Sequence, residues 1–215
     1  MSKVKQAFEV FDERANSYQE KYMDVSMYAD SLDLFCNLIS KPNAEILELA
    51  CGPGNITKYL LNKRSDYKIL STDLSPNMLE LASANNPNTE FQLMDCRDIG
   101  SIQKKYDGIV CGFCLPYLSK DETLILITNS SKVLKSNGLI YLSTMEDDYS
   151  KSGIQTSSFG DKCMMYYHQA DYLVNQLEKS DFEVISLTRK NNSNANGTKE
   201  IDLIIKKKKK LPFFR

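Results

Sequence analysis

The sequence predicts an α/β protein built on a mostly parallel sheet with helices on both faces. Three observations carry this. Five short β-like runs, at 45–50, 67–72, 90–94, 108–112 and 139–143, alternate with stretches of helical spacing. Such alternation requires crossover connections, which give parallel pairing and bury both faces of the sheet. A glycine-rich turn separates the first run from the helix after it. The chain then closes differently. Runs at 182–187 and 201–205 flank a polar loop containing Asn196-Gly197, so they form a hairpin whose last strand runs antiparallel to its neighbours.

The helices show readable boundaries. Tyr28, Leu32, Phe35 and Ile39 form one apolar stripe ahead of the first strand. Ser75-Pro76 supplies an N-cap and a proline at the first helical position, where the missing N–H costs nothing. Ser119 and Glu122 make a capping box, opening a helix expected to end near Asn137-Gly138. Tyr172, Leu173 and Leu177 mark a further helix. There is no repeat and no clear linker. The reading is an N-terminal helical segment 1–40, a core 41–206 and a basic tail 207–215, with the lysine run 206–210 taken as solvated.

Composition excludes several classes of function. The 215 residues are 42% hydrophobic and 26% charged, as in globular proteins. Lys plus Arg (27) nearly equals Asp plus Glu (28), so no overall basic field argues for nucleic acid. No apolar run reaches the ~18 residues of a membrane span, and the N-terminus lacks the apolar stretch of an export signal. A cytoplasmic protein with no membrane partner is expected, its six cysteines mainly small, reduced and buried. Cys111 and Cys114 have the spacing of a redox dithiol, but they end a strand in a longer parallel series and Pro116 follows. One histidine and no second close cysteine pair leave no zinc site.

The strongest chemical signal is Ile46-Leu47-Glu48-Leu49-Ala50-Cys51-Gly52-Pro53-Gly54-Asn55. Gly52 and Gly54 let the backbone turn sharply and a ligand come close. In an open parallel sheet this turn lies at the carboxyl edge, where ligands bind. Asp73 ends the second β run, 19 residues after Gly54, where a carboxylate accepts ribose hydroxyls. Asp95 ends the third run on the same edge, placed to accept from an exocyclic amine. A nicotinamide dinucleotide fingerprint needs a third glycine where this chain has Thr57, and an acid inside the first strand has no role against pyrophosphate.

Glu48 to Asn55, Asp73, Asp95-Cys96 and the strand and loop from Asp107 to Leu118 resemble the successive motifs of class I S-adenosylmethionine-dependent methyltransferases. The resemblance covers about residues 44–206. It implies a Rossmann-like seven-stranded sheet of order 3-2-1-4-5-7-6 with an antiparallel last strand, and S-adenosyl-L-methionine as cofactor, leaving as S-adenosyl-L-homocysteine. Carried over by residue, Glu48 would hold the cofactor's amino group, directly or through water. Ala50, Cys51, Gly52 and Gly54 would line its methionine part, with Cys111 and Gly112 beside it. Asp73 would hold the ribose, Leu74 and Met78 would pack near ribose and adenine, Asp95 would meet the adenine amine and Cys96 a ring nitrogen. Ala50 departs from the family's usual glycine, an alanine being tolerable at negative φ.

Residues 11–22 resemble the lid of small-molecule methyltransferases, with Tyr18 over the cofactor and Tyr22 toward the substrate. Phe113 and Tyr117 would give an aromatic substrate wall, and the long segment 146–167 a second one. The loop after the fourth strand lacks the Asn/Asp-Pro-Pro-aromatic element that gathers exocyclic amines of DNA bases and glutamine side chains. A small-molecule acceptor is therefore expected, met by a monomer or homodimer. A non-catalytic cofactor-binding module and a protein or nucleic-acid methyltransferase are the alternatives. His168, the only histidine, is the candidate base for a hydroxyl acceptor, because its ordinary pKa lies near neutrality.

Overall fold

A computed structural model describes residues 4–157, 160–191 and 198–208. The chain opens with β1 (Val4–Lys5), α1 (Ala7–Glu13), α2 (Ala15–Tyr22) and α3 (Ala29–Leu38). Next come β2 (Glu45–Leu49), α4 (Asn55–Lys63), β3 (Lys68–Asp73), α5 (Pro76–Asn85), β4 (Glu90–Leu93) and β5 (Tyr106–Gly112). They are followed by α6 (Lys120–Val133), β6 (Leu134–Glu146), β7 (Gly153–Thr156) and β8 (Lys162–Met165). Last are α7 (Ala170–Lys179), β9 (Phe182–Asn191) and β10 (Lys199–Lys207). Among the described residues no helix is long and apolar enough to cross a membrane.

Seven strands form one sheet in the order β4-β3-β2-β5-β6-β10-β9. The first five pair in parallel, and β10 runs antiparallel to both β6 and β9. Successive side chains on a strand face opposite ways, so the central strands must be apolar throughout. Leu47 and Leu49 join Ile109, Leu126 and Leu173 on one face, while Ile46 joins Val110, Phe35 and Leu60 on the other. Each such side chain, fully buried, contributes about 1.5–3 kcal/mol.

Local signals act as read at two helices. Ser75 Oγ accepts from Met78 N, with Pro76 at the first position, and Ser119 with Glu122 forms the capping box. The far end of α6 differs from expectation. The helix stops at Val133 because Leu134, fully buried, is drawn into the sheet opposite Tyr106. Asn137, at φ +61, lies in the irregularity where pairing jumps from Tyr106 with Leu134 to Gly108 with Leu139. The Asn-Gly pair thus makes a bulge in β6 rather than a helix cap.

The first forty residues are not one helical unit. α3 buries Leu32, Phe35 and Cys36 against the sheet and belongs to the core. The described chain opens with a strand: β1 pairs in parallel with β8, and β7 with β8 makes a hairpin, giving a separate three-stranded sheet. The segment 146–167 is therefore partly regular structure. At the other end β10 runs through Lys207, whose Nζ donates to Leu134 O at 3.0 Å, so the expected tail begins inside the sheet. Asn196-Gly197 and residues 209–215 lie outside the described residues.

Glu48 sits where β2 pairs with Ser71 of β3 and Val110 of β5, and is only 1% exposed. Thr57 Oγ1 of α4 donates to its carboxylate, as does Ser71 Oγ at 3.1 Å. The carboxylate is committed to these hydroxyls and does not line the cavity between the turns, so it is not placed for direct contact with a cofactor amino group. Burial pushes its pKa from 4.5 up to about 7. Between those values the folded chain holds a proton that the unfolded chain releases, so stability falls as pH rises from 4.5 to about 7 and then levels. Glu48→Gln should flatten this fall and raise unfolding free energy at pH 8 by about 1–3 kcal/mol in denaturant titrations. An unchanged slope across that window would contradict the assignment.

Candidate functional site

Strand order reverses at β2, which is followed by β3 on one side and neighboured by β5 on the other. A crevice opens at such a switch point. Local backbone widens it. Ala50, Gly52 and Gly54 lie at φ +51, +53 and +76, and Phe113, at the tip of β5, lies at +52. Ala50 therefore does not take the negative φ expected of it. A left-handed alanine or phenylalanine costs about 1–2 kcal/mol, a strain that concentrates at functional sites. Phe113 is held there by its N–H, which donates to Ser143 O and to Ser143 Oγ, each at 3.1 Å.

The two glycines of the turn have different work. A Cβ on Gly54 would stand 2.5 Å from Asn86 Nδ2 and 3.2 Å from Ala82, so this glycine serves the close approach of α5. A Cβ on Gly52 would meet nothing nearer than Tyr18 at 3.7 Å, because Gly52 faces the crevice.

The crevice encloses a cavity of about 350 Å³. Among the residues expected at the cofactor, Tyr18, Ala50, Gly52, Asp73, Leu74 and Met78 line it, as do Asp95, Cys96 and Gly112. Phe113 and Tyr117, expected at the substrate, line it too. Asp73 Oδ2 accepts from Gly52 N at 2.8 Å and Oδ1 from Ser75 N at 2.9 Å, which ties the turn after β2 to the turn after β3. Burial raises its pKa, and no cation pairs with it among the described residues. A carboxylate has about four acceptor sites, so room for further donors remains.

Asp95 differs. Both its oxygens take donors from Arg97: Oδ1 from the backbone N at 2.9 Å, Oδ2 from Nε at 2.9 Å and from Nη2 at 2.5 Å. Burial acts to raise the Asp95 carboxyl, but these bonds outweigh it and hold it below the usual value. Arg97 also reaches Glu122 Oε1 at 3.0 Å. Arg97 and Glu122 both line the cavity, and sequence reasoning assigned neither a role there. The Asp-x-Arg spacing was the available signal.

A roof covers the cavity. The Asp12 carboxylate accepts from Ser75 Oγ at 2.6 Å and from Asn77 N at 3.0 Å, fixing α1 to the start of α5. A carboxylate at a helix N-terminus is favoured by the exposed N–H groups. Arg14 Nε bonds Asp161 Oδ2 at 2.9 Å, joining the N-terminal helices to the loop between β7 and β8. Phe11 packs edge-on against both Tyr18 and Tyr117, with ring centroids 5.6 and 5.0 Å away. Phe8, Met164 and Tyr166 complete the apolar side. Asp12 lies in the segment 11–22 read as a lid but was given no role of its own, and the strand pairing of β1 carried no recognisable pattern in the sequence.

Five more expected site residues lie elsewhere. Cys51 is buried in the turn, its N–H donating to Thr72 O at 2.9 Å, and Cys111 is wholly buried in the core. Gly54 packs against α5, as above. Tyr22 is 44% exposed and backs Tyr18 from outside, ring centroids 4.6 Å apart. His168 is fully buried and does not line this cavity. Its Nε2 stands 3.0 Å from both Leu115 O and Leu118 O. Both partners are acceptors, so Nε2 carries the proton, and burial lowers the pKa. His168 therefore pins the turn that presents Tyr117 and is not placed to act as a base.

Residues 46–138 match the family model described as a methyltransferase domain. The malonyl-[acyl-carrier protein] O-methyltransferase of Acetivibrio thermocellus is 29% identical over 62% of this chain and 47% of its own length. The carboxy-S-adenosyl-L-methionine synthase of Campylobacter jejuni is 26% identical over 62% of this chain and 57% of its own. The chain thus spans about half the length of these curated relatives. An S-adenosylmethionine-dependent methyltransferase from Clostridium acetobutylicum shares the fold at TM-score 0.72 and 16% identity, over 93% of this chain and all of that one. The switch-point crevice, the strand order and the match to a methyltransferase-domain model over residues 46–138 agree, and the fold is that of S-adenosylmethionine-dependent methyltransferases.

Proposed function

We propose that the chain binds S-adenosyl-L-methionine in this crevice and transfers its methyl group to a small, largely apolar acceptor. The observation that carries the reading is Asp73, a half-buried carboxylate without a cationic partner among the described residues, facing the cavity beside an unobstructed Gly52. Such a group fits vicinal ribose hydroxyls, which donate to it and cost it no charge. Leu74, Met78 and Met94 offer an apolar bed for a purine. When bound, the cofactor supplies an electrophilic methyl on a positively charged sulfur.

The protein's own residues then align and exclude water. Phe11, Tyr18 and Tyr117 close the roof with ring faces and edges. Burial raises the phenols of Tyr18 and Tyr117, so both stay neutral. Glu122 is committed to Arg97 and to the cap of α6. Among the described residues, the acceptor side of the cavity therefore offers no free base. The acceptor that fits brings a nucleophile needing no deprotonation by the protein, as a carboxylate oxygen does, and the malonyl O-methyltransferase relative supports this choice.

Asp73→Asn keeps the shape and one acceptor but removes the charge. It should weaken S-adenosylhomocysteine binding about 10- to 100-fold, the scale of hydrogen bonds to charged groups. Unchanged affinity in calorimetry would move the ribose elsewhere. For the reaction itself, incubation with methyl-labelled cofactor and small carboxylic acids should place label in an ester. Tight cofactor binding with no transfer to any acceptor in a broad metabolite extract would leave a binding module instead.

A further inference from the structure

Cys96 follows β4 and Cys114 follows β5, yet their sulfur atoms stand 3.2 Å apart. Both line the cavity. A disulfide brings its sulfurs to about 2.05 Å, so closure asks for a shift of about 1 Å shared between two loops. Cys111, the partner that sequence spacing suggests for Cys114, is fully buried and outside the cavity. Cys114 is 4% exposed and Cys96 only half-buried, so an oxidant entering the crevice meets Cys96 first.

We propose that Cys96 and Cys114 form an oxidation-sensitive thiol pair in the floor of the cleft, which a peroxide converts into a disulfide that locks the loop after β4 to the loop after β5. The Cys96 sulfur attacks one peroxide oxygen, the O–O bond breaks, and a sulfenic acid and one water form. The Cys114 sulfur then displaces the hydroxyl as a second water, giving the S–S bond. Two thiols lose two electrons and two protons, and one peroxide becomes two waters. The contact with Cys114 and burial push the Cys96 thiol up, and the contact with Cys111 and burial do the same for Cys114. Reaction is therefore slow at neutral pH and accelerates as pH rises, since the thiolate is the nucleophile.

The crosslink joins residues adjacent to Asp95 and to the strained Phe113. A ligand lying in the cavity covers Cys96 and slows its oxidation; this shielding, unlike the crosslink, rests on the proposed cofactor site. The test treats the whole chain with hydrogen peroxide at pH 8, alkylates the remaining thiols and maps unreduced peptides by mass spectrometry. The expected product is one linkage, Cys96 to Cys114, reversed by dithiothreitol, absent in Cys96→Ser and Cys114→Ser and retained in Cys111→Ser. Linkage through Cys111, or Cys96 passing to sulfinic acid without a partner, overturns the proposal. S-adenosylhomocysteine at saturation should slow linkage several-fold. Equal rates with the ligand bound would overturn the shielding. Linkage in a protein that binds no such ligand would sustain the thiol pair and reject the cofactor reading.

Discussion

The cleft depends on one carboxylate that holds two diverging turns together. Where strand order reverses at β2, the turns after β2 and β3 point their N–H groups into a crevice, and each of those donors needs a partner. Asp73 supplies both, through Gly52 N and Ser75 N. Its position at the end of β3 is set by pairing with Leu93 of β4 and with the body of β2 alongside. Backbone strain at Ala50 and Phe113 is tolerated because the surrounding sheet leaves those residues no alternative. The same carboxylate then presents its remaining acceptor capacity to the cavity.

Above that floor the roof is assembled from separate pieces of chain. Asp12 and Asp161 each tie a neighbouring segment to the N-terminal helices, one at the start of α5 and one in the loop of the β7–β8 hairpin. Phe11 bridges Tyr18 and Tyr117, so the covering helices and the loop after β5 meet through aromatic edges. His168 works at one remove. By binding the carbonyls of Leu115 and Leu118 it sets the turn from which Tyr117 projects. Ion pairs of this exposure contribute little individually, about 0–1 kcal/mol, so the roof is the weaker of the two layers.

The alternation of apolar runs made the mixed sheet legible, because a strand buried on both faces has to read as continuous hydrophobic sequence. The glycine turn and Asp73 were legible for a similar reason: their spacing is a consequence of one crossover unit. What the residues themselves could not announce was direction. Glu48 has the right spacing, but the register that puts Leu47 and Leu49 on one face turns its carboxylate toward Thr57 and Ser71. Cys51, Gly54 and Cys111 likewise sit at motif positions and serve packing. Asp95 stands in the cavity, yet its neighbour two residues on claims both oxygens. β1, β7 and β8 are two to four residues long, and β1 pairs with β8 across most of the chain, which local pattern cannot reveal.

The central claim is that one ligand sits between Asp73 below and the N-terminal helices above. Amide hydrogen exchange with and without S-adenosylhomocysteine addresses it directly. Slowed exchange should appear together in the turn 50–54, in the start of α5 and in α1 and α2, with the β9–β10 hairpin unaffected. Protection confined to other parts of the chain, or none at saturating ligand, would contradict it.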